Sequence, residues 1–154
     1  MIQRIQTIYL AIVTALSGLL LQGSILTLLG DSGEIYKLNW NGLFQIENGL
    51  SIQSEKTLPL TILLITVPIL SLLAMFLFKR RKLQIRVTVI STLLLLGAFI
   101  LILYYIYYAG KSLGADYIFS IKLVFPLVGA VLGYLAFRAI LKDELLVKSY
   151  DRIR

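Results

Sequence analysis

Side chains able to do chemistry are sparse in this 154-residue chain, and their spacing does not gather them. The chain has no cysteine and no histidine, which excludes disulfides, thiol nucleophiles, haem ligation by His and the common zinc sites. Asp143 and Glu144 are the nearest thing to a paired-carboxylate site, but neighbours in sequence point different ways on a helix. Neither a Gly-rich phosphate loop, a nucleophile elbow nor a metal-ligand spacing occurs. The polar residues deepest in the apolar runs are Thr14, Ser17, Gln22, Thr66, Ser71, Ser91 and Thr92. Hydroxyls in such places usually bond to their own backbone or to a neighbouring helix. A transporter or proton pump would carry Asp, Glu, His, Lys or Arg well inside its spans, and none is found there. The expectation is therefore a protein that is not an enzyme and has no cofactor.

The elements that must carry these residues follow from composition. Hydrophobic residues make up 58% and charged residues 15%, against about 25% charged in soluble domains. With a mean hydropathy of +0.88, the chain reads as a single integral membrane domain. Its net charge of +7 would suit a nucleic acid only if the cations covered a soluble face; here they flank apolar runs, so no nucleic acid is expected. Lys79, Arg80, Arg81 and Lys82 separate two such runs, and a cluster of that kind stays on the cytoplasmic side of a bilayer. The prediction is an all-α membrane fold, a four-transmembrane-helix bundle with both termini inside. The spans fall at 8–29, 58–78, 87–108 and 117–140, with a cytoplasmic basic loop at 79–86 and a C-terminal helix at 141–154. Eleven of the 15 Lys and Arg then lie inside, all except Lys37, Lys56, Lys111 and Lys122, as the positive-inside rule requires. Tyr104, Tyr105, Tyr107 and Tyr108 form an aromatic belt at the outer end of the third span.

The outer loop at 30–57 alternates like a sheet. Tyr36, Leu38 and Trp40, then Phe44 and Ile46, supply an apolar face, and Asn41-Gly42 and Asn48-Gly49 are hairpin turn signals. A three-stranded antiparallel meander is predicted, about Glu34–Trp40, Leu43–Glu47 and Leu50–Ser54. Its apolar face either lies on the helix ends or is offered to a partner. Within the spans, Ala11, Ala15, Gly18 and Gln22 share one helix face, and Gly129 and Gly133 form a GxxxG pair. Both features permit close approach by another helix, of this chain or of a partner.

The opening Met1-Ile2-Gln3-Arg4-Ile5-Gln6-Thr7 and the closing run from Phe137 to Arg154 resemble the two ends of a family of small four-span inner-membrane proteins from Bacteroidota, known as domain of unknown function 4293. The resemblance implies a place in the cytoplasmic membrane of a diderm bacterium, with the outer loop in the periplasm, and implies no activity. Trp40 followed by Asn41-Gly42-Leu43 is similar in shape to the first loop of claudins, without their two cysteines and with Phe44 where a second Trp would stand. Both predicted cytoplasmic ends are polar. Arg4, Lys79, Arg80, Arg81, Lys82, Lys142, Asp143, Glu144, Lys148, Asp151 and Arg152 are candidates for docking a partner, or form a basic rim that meets anionic lipid. The expected function is an accessory subunit that binds other integral membrane proteins of a larger complex, in protein export or envelope biogenesis. The alternative is a small homo-oligomeric transporter or lipid-handling protein with a cavity around Ser17, Gln22 and Ser91.

Overall fold

The computed structural model describes residues 5–30, 34–47, 50–113, 116–118 and 120–151. In chain order these form α1 (Ile5–Leu20), β1 (Ser24–Leu29), β2 (Ile35–Asn39), β3 (Gly42–Glu47), β4 (Leu50–Lys56), α2 (Leu58–Phe76), α3 (Arg81–Leu113), β5 (Asp116–Ile118) and α4 (Phe125–Asp151). Each helix packs on the next, and α4 closes on α1. Three helical segments, Leu58–Lys79, Arg81–Lys111 and Ile121–Leu146, are long and apolar enough to cross a membrane.

The distribution of side chains suits hydrocarbon surroundings. Small residues and hydroxyls fill the bundle, with Ala74, Ala98 and Ala136 and the polar Ser17, Ser71 and Ser91 all buried. Large apolar residues such as Ile62, Ile69, Leu93 and Ile100 are 52–64% exposed on its outside. In water such a surface would be costly, whereas in lipid it costs nothing and small inward residues let the helices close up.

Element boundaries depart from the sequence expectation in three places. The first apolar run does not form one helix over 8–29: α1 ends at Leu20, Gly23 takes a positive φ of 64°, and Ser24–Leu29 becomes a strand. A short apolar run is compatible with either state, and the left-handed turn at Gly23 decides it. The α1 helix has 16 residues, about 24 Å against about 30 Å of hydrocarbon. The predicted basic loop at 79–86 is nearly absent, because a 3-10 turn at Leu77–Lys79 leads through Arg80 straight into α3. The helix of the predicted fourth span, α4, begins at Phe125 and not at residue 117; β5 and a 3-10 turn at Ile121–Val124 come first. Pro126 sits in the first turn of α4, where its missing N–H has no cost. Beyond residue 140 the same helix continues to Asp151.

The sheet has five strands in the order β4-β3-β2-β1-β5, not three. A two-residue turn at Trp40 and Asn41 pairs Asn39 with Gly42, so the turn lies one residue earlier than an Asn41-Gly42 hairpin would. Gly42 is needed for another reason: a Cβ there would lie 2.6 Å from the Glu55 carbonyl oxygen on β4. The other turn signal, Asn48-Gly49, lies outside the described residues. Opposed residues share a face, so Leu28, Tyr36, Gln45 and Ile52 form one row and Leu26, Leu38 and Leu43 the next. This face packs into one core cluster with Leu20, Leu60, Leu64, Ile102 and Ala109 of the helices, and Trp40 packs against it. Phe44 and Ile46 are not on that face. They stand with Lys37 and Ile35 on the opposite side, because a two-residue turn opposes residues of unlike parity and so separates Tyr36 and Leu38 from Phe44 and Ile46.

The two glycine motifs have different fates. Gly129 and Gly133 pack inside this chain, where a Cβ on Gly129 would lie 3.2 Å from Leu95 and one on Gly133 would collide with the Thr92 hydroxyl. Gly18 does not mediate a close contact here: a Cβ at that position would meet nothing within 4 Å. The inward face of α1 is Gln6, Leu10, Val13, Ser17 and Leu20, which leaves Ala11 and Ala15 outside. Gly133→Ala is expected to lower stability by about 1–3 kcal/mol through overpacking at α3. Gly18→Ala is expected to raise it by about 0.5–1 kcal/mol through helix propensity. Thermal unfolding of the detergent-solubilised variants checks both signs.

Candidate functional site

The basic end of the bundle is assembled from three helices. The cluster 79–82 is delivered by the α2–α3 connection: Lys79, Arg80 and Lys82 are exposed and Arg81 is half-buried. Antiparallel packing of α4 on α3 brings Lys142, Asp143 and Glu144 to the same end, and α1 contributes Gln6. The side-chain amide of Gln6 donates to Asp143 Oδ2 at 2.9 Å, and the Arg81 guanidinium donates to the Asp143 carbonyl at 2.9 Å. Asp143 thus ties α1, α3 and α4 together.

This geometry alters the predicted docking rim. Asp143 and Glu144 were expected among solvent-facing candidates; Asp143 is engaged between helices and Glu144 is 9% exposed. A charged residue is retained inside such a bundle end only when partners offset its desolvation. Lys79, Arg80, Lys82 and Lys142 remain on the open rim, and among the described residues they form no ion pair. Arg4 and Arg152 lie outside the described residues, as do the side chains of Lys148 and Asp151.

Sequence reasoning did not single out Gln84 and Thr88. Both are 1% exposed, and they follow one another up α3 toward Ser91 on the bundle-facing side. A polar stripe at spacings of four and three in an otherwise apolar helix is the signal that could have found them. Gln6 Oε1, Gln84 Oε1 and Thr88 Oγ1 are buried without a hydrogen-bond partner among the described residues. Deeper in, Ser71 and Ser91 bond to each other at 2.8 Å, and Ser17 donates to the Val13 carbonyl at 2.7 Å. Gln22 lies outside α1 and is exposed, and its carbonyl accepts from the Lys122 ammonium. Ser17 and Ser91 are thus buried in the bundle, whereas Gln22 lies at its surface.

At the sheet end, the Tyr36 hydroxyl donates to Glu34 Oε2 at 2.5 Å. That bond, followed by burial and the carboxylate charge, holds the Tyr36 phenol above its ordinary pKa. The Thr61 hydroxyl reaches the Trp40 carbonyl at 2.9 Å and pins the β2–β3 turn to α2. On the side of the sheet away from the helices, Leu29, Ile35 and Ile46 form one row and Ile118, Thr27, Lys37 and Phe44 the next. Strand β4 is an edge, exposed at every position, and carries Leu50 and Ile52 at 69% and 54% exposure.

Asp143→Ala is expected to destabilise the protein by about 1–3 kcal/mol, since the buried Gln6 amide loses its acceptor. Asp143→Asn keeps an acceptor oxygen and the carbonyl that Arg81 uses, so its cost should be a fraction of that. Unfolding midpoints of the two variants in one detergent give the comparison.

Comparison with curated proteins finds no match. A family model, described as Domain of unknown function (DUF4293), matches residues 2–153. That match takes in all four helices and the sheet, so the chain belongs to the DUF4293 family.

Proposed function

We propose that the protein is a non-enzymatic accessory subunit of a larger complex in the inner membrane of a diderm bacterium, within protein export or envelope biogenesis. In this reading both termini and the Lys79–Lys82 cluster face the cytoplasm and the sheet stands in the periplasm. The orientation rests on the positive-inside bias.

The observation that carries the reading is the two-sided sheet. One side is consumed by packing on the helices; the other presents Leu29, Ile35, Phe44, Ile46 and Ile118, with Leu29 and Ile118 at 44% and 53% exposure. Beside it, among the described residues, β4 leaves one edge unpaired along seven residues. An apolar face next to an open edge is a surface that proteins normally cover or use for binding. The interior supports the same reading. Ser17 and Ser71 with Ser91 are engaged within and between helices, and the two clusters away from the sheet have only Leu, Val and Ala as their buried members.

Affinity capture of the C-terminally tagged protein from native membranes in mild detergent, followed by mass spectrometry, tests the proposal. Stoichiometric membrane partners are expected, and Ile46→Glu should reduce their recovery several-fold while leaving the amount of protein in the membrane unchanged. Recovery of the protein alone, or only with copies of itself, would refute the subunit reading.

A further inference from the structure

We propose that the groove between α1 and α4 at the basic end binds one anionic phospholipid, with the phosphate held between Arg138 and Lys142 and an acyl chain laid against Tyr9 and Leu135. The inference requires membrane insertion but does not depend on the subunit reading.

The groove has a volume of about 670 Å³. Its walls combine two kinds of residue. Arg138 and Lys142 line one side, and Ile5, Tyr9, Leu135 and Leu145 supply apolar surface around them. The two cations are four residues apart on α4, so they lie on one face about 6 Å apart along the axis. A phosphodiester fits between two such groups. Both are exposed, and among the described residues neither forms an ion pair. The carboxylates next to them in sequence are engaged elsewhere: that of Asp143 accepts from Gln6, and Glu144 is buried.

Depth selects the occupant. Side chains on a helix lean toward its N-terminus, which on α4 tilts Arg138 toward the apolar span and on α1 tilts Tyr9 toward the basic end, so their polar tips approach the same level. Cations at the rim of a span, with apolar wall on the inner side, match a molecule that carries negative charge and hydrocarbon in that order. A partner's apolar helix does not match, because it would bury both cations against hydrocarbon. A free water-soluble anion would leave the Tyr9 and Leu135 side of the groove unused. The anionic lipid expected for the whole basic rim is thereby narrowed to one groove.

The test uses the full-length protein, delipidated in mild detergent, with lipid binding followed by native mass spectrometry and by thermal shift. Dioleoyl phosphatidylglycerol, dioleoyl phosphatidylcholine and glycerol 3-phosphate are compared. Phosphatidylglycerol is expected to bind about thirtyfold tighter than phosphatidylcholine, the effect of two interfacial cations, and to raise the unfolding temperature. The double variant R138Q/K142Q should lose that preference while K79Q/K82Q keeps it. Equal binding of the two lipids, a preference that survives R138Q/K142Q, or equal loss in K79Q/K82Q would overturn the site. Binding of glycerol 3-phosphate as tight as that of phosphatidylglycerol would overturn the acyl-chain assignment. None of these outcomes depends on whether a protein partner exists.

Discussion

The α3 helix is longer than a bilayer is thick, and the rest of the structure is built on that mismatch. Its 33 residues measure about 50 Å, roughly 20 Å more than the hydrocarbon core. At the sheet end of the bundle its Tyr105, Ile106 and Ala109 join the same cluster as Leu26, Leu28, Tyr36 and Leu38. A small sheet is marginal on its own in water. The projecting helix gives it a wall to lean on. Strand β1 takes a central place because Gly23 turns the chain directly from α1 into the sheet, and β5 joins its far edge because α3 delivers the chain high before α4 brings it back.

Legibility in the sequence followed the strength of the local signal. The α2 and α3 helices are long apolar runs; α2 at Leu58–Phe76 ends two residues short of the predicted 58–78, whereas α3 at Arg81–Leu113 runs past the predicted 87–108 at both ends. Ser24–Leu29 was not legible as a strand, since its four apolar residues continue the first span's hydropathy and only the backbone at Gly23 ends the helix. The start of α4 was legible in principle, because Pro126 marks a first helical turn. Parity across the β2–β3 turn was also available: any two-residue turn places Phe44 and Ile46 opposite in sense to Tyr36 and Leu38. Once applied, it converts one thick apolar face into two, and the second is the face that lacks a cover from this chain's helices.

At the basic end the cations were readable by type and the acids were misplaced. Nothing local distinguishes Asp143 from a solvated helix carboxylate; its role depends on Gln6, 137 residues away. Long-range pairing of this kind is set by which faces of α1 and α4 meet. Those faces are chosen by the small and hydroxyl-bearing residues that permit close packing, not by the charges themselves.

The charges at the start of α3 also act against their own helix. Arg81 and Lys82 occupy its first turn, which carries no acidic residue, and the helix dipole disfavours cations there by about 0.3–1 kcal/mol each. Helix stability therefore does not account for their position. Arg81 offsets the cost by donating to the Asp143 carbonyl. Lys82 has no such compensation among the described residues, and a position that is unfavourable for the isolated helix becomes favourable once negative charge lies opposite it. In the proposed orientation anionic headgroups supply that charge over the whole end of the bundle, and the α1–α4 groove adds an apolar wall beside its cations. The same end can thus orient the protein through diffuse attraction and hold a single lipid through shape, two effects that differ in range and respond to different substitutions.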